Sequence, residues 1–316
     1  MVLTIDELKP ETHLNYERLS EVNKMHDIQE LEARRRTNWG QTATDKISDT
    51  LAATKLIERV GIATLYAVSP EIPSLYHAYT GDPTSKADSE WDSDAGHVYS
   101  WRWILGRQEA AFYTAIIRSR PTWVSWPLLA AILRLRGELR SIEELYNEGQ
   151  LSNGAWRISQ ALTEAGGPLE TGALRRLAGF PTGKEQRAAY LRAMNELDTR
   201  LLVAKVFAPD DEDMRHALVT IRYPEQVKTA LSLSREGALE QLLLAYLPQA
   251  VYAIPDVLAK HLGIPEKELR IGLEKVVVSG QAQTMPLPGK SNPGYVWISL
   301  TIQPGAFVIP NEGSAK

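Results

Sequence analysis

The chain reads as an α+β protein, predominantly helical, assembled from tandem winged-helix units, three in number. Three observations predict this. Residues 156–221, and again 237–300, run helix, break, helix, break, helix and then two β-like segments, which is the order of a helix-turn-helix carrying a hairpin wing. The breaks are glycine and proline clusters that end one helix and open the next. The length of 316 residues exceeds what one small core organises, so two or three domains are expected.

Residues 1–40 are polar and helix-leaning, include Arg34-Arg35-Arg36, and read as a helical lead-in. The first unit, 41–150, is divergent and rich in Trp and Arg. Its opening helix is marked by Leu51, Ile57 and Val60 and stopped by Gly61. Pro70 and Pro73 hold the next segment extended or turned, Gly81 to Asp94 reads as a flexible loop, and the wing must come from the Trp-rich stretch. The second unit, 151–234, has helices at 156–164, 170–178 and 184–199, separated by Gly166-Gly167-Pro168 and Gly179-Phe180-Pro181-Thr182-Gly183. Two β-like runs follow, 201–207 and 217–221, around the acidic loop 209–213. The third unit, 235–305, has a helix over 238–247, a second opened by Ile254-Pro255-Asp256, and a third capped by Gly263-Ile264-Pro265-Glu266 and running to Val278. A hairpin, 281–287 with 295–300, closes it. Residues 306–316 form a tail.

Composition narrows the function classes. A net charge of −4 and a pI near 5.9 argue against a protein that coats nucleic acid nonspecifically. The absence of cysteine removes disulfides, thiolate zinc sites and cysteine nucleophiles. The N-terminus lacks a signal-like apolar run, and the longest apolar stretch, Leu242 to Leu247, is far short of a membrane span. A soluble, cytoplasmic protein with no membrane partner is expected. Six histidines without paired helical spacing give no metal site, and no cofactor is expected. Gly179 to Lys184 looks like a phosphate loop, but its glycines are one residue too close and Glu185 replaces the magnesium-binding hydroxyl. Gly289-Lys290-Ser291 has the right end, with Thr284 at the required first glycine. Both read as turns.

Chemistry concentrates between Trp91 and Arg140, which holds five of the eight tryptophans. From Trp101 to Arg140 seven arginines face two glutamates, a local charge of +5 in a chain of −4. Interleaved arginine and aromatic residues suit phosphate contacts and base stacking. The candidate DNA contacts are Arg102, Arg107, Arg118, Arg120, Arg134 and Arg136, with Trp101 and Trp103 as stacking platforms. The competing reading makes the indoles core anchors and the arginines a solvated face. Asp92, Asp94 and His97 form the densest titratable group. A carboxylate beside aromatic walls suits acid–base work, whereas the same residues on a loop would cap the next helix. The third helices of the later units present mixed charge, with Glu185, Arg192 and Glu196 outward in one and Lys267, Arg270 and Lys275 beside Glu268 and Glu274 in the other. A protein partner is therefore the alternative to DNA.

Taken in order, Leu56 to Gly61, Ile72-Pro73-Ser74-Leu75, Trp101-Arg102-Trp103 and Arg120 to Ser125 resemble the AlkZ/YcaQ class of winged-helix DNA glycosylases, above all its AlkZ-related branch. The resemblance covers most of the chain after about residue 45. It implies three tandem winged helices around a DNA-binding channel and metal-free excision of alkylated or crosslinked purines. It also implies a Gln-x-Gln type motif just after a Leu-Gly or Val-Gly helix end, which positions the attacking water. Here Val60-Gly61 is followed by Ile62-Ala63-Thr64-Leu65. No catalytic residue transfers, and damage recognition without the usual motif is the expected function. Thr64, as a water ligand, and Asp92 or Asp94, as a replacement base over a flipped-base pocket lined by Trp101 and Trp103, are the candidates for an active enzyme.

Overall fold

The computed structural model describes residues 28–209, 214–287 and 293–298. Most of the lead-in, the centre of the acidic loop, the last hairpin turn with Gly289-Lys290-Ser291, and the tail lie outside them. Helix α1 covers residues 28–38. The first unit then runs α2 (Thr50–Val60), β1 (Ile62–Thr64), α3 (Leu75–Thr80), α4 (Asp94–Arg107), β2 (Phe112–Ile117) and β3 (Arg120–Val124). Helices α5 (Trp126–Arg136) and α6 (Ile142–Asn147) connect it to the second unit: α7 (Asn153–Ala165), β4 (Leu169–Glu170), α8 (Thr171–Leu177), α9 (Lys184–Thr199), β5 (Val203–Phe207) and β6 (Met214–Leu218). After α10 (Val219–Arg222) and α11 (Pro224–Ser232) the third unit repeats the order: α12 (Arg235–Ala250), β7 (Tyr252–Ala253), α13 (Pro255–Leu262), α14 (Glu266–Val278), β8 (Ala282–Met285) and β9 (Gly294–Trp297). Each unit forms a three-stranded antiparallel sheet with its last strand in the middle: β1-β3-β2, β4-β6-β5 and β7-β9-β8. This strand order is met three times among the described residues.

Local chemistry sets the boundaries. Asp49 caps α2 by accepting from the Ala52 amide at 2.8 Å, and Gly61 ends it at φ 77°, where a side chain would be strained. Ser93, Ser152 and Ser234 cap α4, α7 and α12 in the same way. Differences from the sequence reading have physical causes. Residues 81–93 form the expected loop, and the element the sequence does not predict is α4 after it, whose buried Ala95, Val98, Trp101 and Leu105 follow helical spacing. The last strand of the second unit is Met214–Leu218, and the β-branched run from Val219 turns into α10, because Leu218 already closes the register against Val203. Leu51 belongs to α2 yet is 65% exposed, so it is not one of its core positions.

The main core is shared. Residues of α2, α4, β2, β3 and α5 pack in one cluster with Leu239, Leu243, Leu247, Leu258 and Leu273 of the third unit. The second unit keeps a smaller core of its own around Ile158, Leu162, Leu174, Tyr190 and Leu197. Among the residues that tie it to the main core, with Leu201 and Ala204, is Phe207. Its ring lies 5.5 Å from Trp103, 5.3 Å from Tyr113 and 6.2 Å from Trp123, centroid to centroid, and over Gly106, where an added Cβ would fall 2.2 Å from it. Among the described residues no helix is long and apolar enough to cross a membrane.

Inside the second unit, His216 of β6 is buried. Its Nε2 lies 3.2 Å from Thr171 Oγ1, and its Nδ1 has no partner among the described residues. Burial, and then the nearby charge of Lys205, hold its pKa down at about 4. The unfolded chain takes up this proton near pH 6.5 while the fold refuses it. The contribution to stability is therefore complete above about pH 6.5 and is lost as pH falls toward 4, to the extent of about 3 kcal/mol. Denaturant titrations of wild type and His216→Gln between pH 4 and 7 should show a steeper pH slope for the wild type. Equal slopes would count against this assignment.

Candidate nucleic-acid interface

The tryptophans of the 91–140 segment divide between core and surface. Trp123 is in the middle of the first sheet and fully buried, and Trp101 is 2% exposed, donating from Nε1 to His97 Nε2 at 3.2 Å and meeting Tyr79 edge-on. Trp103 is half-buried against Phe207. At 2% exposure Trp101 offers no face for stacking. The exposed indole is Trp91, at 71%, which meets Tyr99 edge-on at 5.9 Å. The Arg102 guanidinium in turn covers Tyr99 at 3.8 Å and Trp103 at 4.7 Å. One flank of α4 is thus a Trp91, Tyr99, Arg102 strip. Sequence reading could have found it from the spacing, since 99, 102 and 103 share a helix face.

The six arginines divide as well. Arg136 donates to the Leu262 carbonyl and sits against Gly263, fastening α5 to the end of α13. Burial and then the charge of Arg235 lower its pKa. Arg134 and Arg102 are half-buried with Nε atoms that have no hydrogen-bond partner among the described residues. Arg107, Arg118 and Arg120 are exposed. Arg118 and Ser119 form the two-residue turn of the β2–β3 hairpin at φ 50° and 57°. Such a turn needs left-handed backbone at both positions, which Asn and Gly adopt most readily. Here a bulky arginine holds it, at a cost of about 1–3 kcal/mol of local strain. The wing tip presents Arg118 and Arg120 together.

Thr64 is fully buried in β1, opposite Thr122 in the sheet, and its Oγ1 donates to Pro73 O at 3.3 Å. The strand that holds it, Ile62–Thr64, is closed on both faces. Asp92 and Asp94 are exposed. Asp94 occupies the first turn of α4, where a negative charge complements the helix dipole, and Asp92 lines a shallow depression of about 300 Å³ with Trp91, Ser93 and His97. Among the described residues no three His, Asp or Glu side chains are grouped to hold a metal ion.

Beside the wing lies a cleft of about 450 Å³ that the sequence reading missed. Its floor is Arg35 with Trp39 and Tyr252. Arg35 Nε donates to Ala250 O, Nη1 to Pro70 O at 3.1 Å and Glu71 Oε1 at 2.9 Å, and Nη2 to Glu71 Oε2 at 3.3 Å and Tyr252 O, so all five donors are used. Tyr246 donates to Glu71 O and Oε2 from the other side. Burial opposes the Arg35 charge, yet Glu71 and the two tyrosines leave its pKa raised. Gln41, His77, Val68, Ser69 and Pro70 line it, together with the exposed pair Glu32 and Arg36, 3.6 Å apart. Gln41 is 7% exposed, and its amide finds no partner among the described residues. His77 Nε2 faces the Ser85 carbonyl at 3.1 Å. That contact makes Nε2 the donor and leaves Nδ1 an acceptor, while burial lowers the pKa. Arg118 Nη1 lies 3.5 Å from Val68 O, which sets the wing tip at the edge of the cleft. Burial first, then the charges of Arg118 and Lys260, hold the neighbouring His261 below its ordinary pKa. The signal was Trp39-Gly40-Gln41, a glycine-ended helix followed by a glutamine. A second groove, about 340 Å³ between α12 and α14, is apolar along Leu239, Leu244 and Ile271 and bordered by Glu236, Glu240, Lys275 and the Arg235–Glu268 pair.

A family model described as AlkZ related matches residues 47–216. Among solved structures, the DNA glycosylase AlkZ of Streptomyces sahachiroi is similar over 84% of this chain and 69% of that chain, with 13% sequence identity and a TM-score of 0.50. This is a likeness of fold. No curated protein matches the chain.

Proposed function

The chain belongs to the AlkZ-related family, and from that premise we propose that it binds DNA through the wing of its first unit and recognises DNA structure or damage, without a catalytic glutamine after Val60-Gly61. The observation that carries this reading is the strained Arg118-Ser119 turn, which holds two arginines outward at the hairpin tip. Strain kept in an exposed turn points to use at that turn. The Trp91, Tyr99, Arg102 strip adds a surface suited to stacking with an unpaired base. Arg107 is a further exposed cation on α4. Arg102, Arg134 and Arg136 act through packing.

Phosphate contacts make binding fall steeply with salt. Arg118→Glu combined with Arg120→Glu should weaken binding to duplex and damaged oligonucleotides alike, by about tenfold or more at low salt, and should flatten the salt slope by roughly two counterions. Fluorescence anisotropy across a salt series measures both. A wild type without salt-sensitive binding would instead favour a protein-interaction module.

Abasic-site formation on alkylated and crosslinked oligonucleotides separates recognition from excision. Recognition alone predicts retained binding with no excision. Should the wild type excise a base, comparison of Asp92→Asn, Asp94→Asn and Gln41→Ala identifies the group responsible. Thr64, sealed within β1, reaches no water.

A further inference from the structure

We propose that the cleft between α1, the 67–70 segment and β7 takes up an extrahelical nucleotide, most favourably one whose base carries an exocyclic amino group beside a ring acceptor, as adenine does. The inference rests on the reading of the chain as a DNA-binding protein and adds the place where the recognised nucleotide goes. Four observations carry it. Gln41 is more than nine-tenths buried, lines the cleft and has no protein partner among the described residues. The amide is not sealed from solvent, so it faces water in the cleft, and a ligand that replaces this water needs one donor and one acceptor side by side. The adenine N6 amino group and N7 present that pair. His77, through its Nδ1 acceptor, adds a second site for an amino hydrogen in the same cleft. The volume of about 450 Å³ falls in the range of small-ligand sites. Finally, Arg118 stands at the edge of the cleft and Arg36 on its rim, so phosphates held at the wing would bring a strand across the opening. The Arg36–Glu32 pair is exposed and weak, which leaves Arg36 able to turn to a phosphate. Arg35 is excluded as a ligand because its donors are all engaged.

The test uses the full chain and a duplex in which one adenine faces an abasic site and 2-aminopurine is its 3′ neighbour, so that the fluorophore brightens when the adenine leaves the stack. Wild type should raise the emission on binding, and less so when thymine replaces the adenine. Gln41→Leu removes the amide without breaking any protein hydrogen bond, and Ala67→Trp fills the cleft from an exposed wall position. Both variants should reduce the rise by at least about fivefold, while affinity for fully paired duplex, set by Arg118 and Arg120, stays within about twofold. Binding with no rise, or a rise unchanged in both variants, would overturn the nucleotide site and leave the DNA-binding reading standing. Absence of any DNA binding would overturn both.

Discussion

Glu71→Ala is expected to destabilise the protein by about 3–5 kcal/mol, the usual consequence of leaving a buried charge without its partner. Arg35 is 5% exposed and Glu71 1%, so water cannot replace the lost carboxylate. The three remaining contacts of Arg35 go to the backbone carbonyls of Pro70, Ala250 and Tyr252, and the Tyr246 hydroxyl keeps its bond to Glu71 O; none of these neutralises a cation. Removing both charges together, as in Arg35→Met with Glu71→Leu, should recover most of the loss, because well-packed apolar replacements of buried pairs are close to neutral. Urea unfolding gives the answer as a shift in midpoint at constant slope. A single variant within about 1 kcal/mol of wild type would mean that water reaches this pair, contrary to its burial.

Phe207→Ala should cost about 3–5 kcal/mol by the same assay, the range for deleting a buried aromatic ring. The ring is 7% exposed and is surrounded by Trp103, Tyr113 and Trp123, and Gly106 leaves no side chain to fill the space it vacates. Because the second unit has its own core, the loss should fall on its attachment to the first unit: Trp103 becomes more quenchable by iodide while the far-ultraviolet circular dichroism holds. Phe207→Leu should retain about half the stability lost. A variant that unfolds as one unit with wild-type stability would refute the role of this ring as the joint.

The later units were legible because their punctuation is chemical. Gly166 and Gly263 end α7 and α13 in left-handed backbone, at φ 63° and 62°, and Pro255 opens α13, so the breaks are visible as residues. The short first strands, two or three residues each in β1, β4 and β7, carry no alternation long enough to read. Helix α4 was hidden by the Asp- and Ser-rich residues at its start and by four aromatics that blur its apolar stripe. The arginines failed as a group for a general reason: charge counted along the chain says nothing of burial, and the stems of Arg102, Arg134 and Arg136 are covered while their neighbours at 118 and 120 are free to project. Arg34-Arg35-Arg36 is the sharpest case. Three consecutive cations in a polar helical lead-in show no sign of burial, yet the middle one uses all five of its donors. Its partners lie 36 and more than 200 residues away, and no local pattern announces them.

That separation has a consequence for synthesis on the ribosome. Arg35 meets Ala250 across 215 residues, so at about 5–20 residues per second the cation waits roughly 10–40 s after translation before its last acceptors exist. The second unit, with a core drawn from consecutive residues, can close during that interval. The first cannot finish until the third has emerged, and a nascent chain stalled near residue 230 would expose the apolar faces of α2 and α5 to whatever binds unfinished proteins.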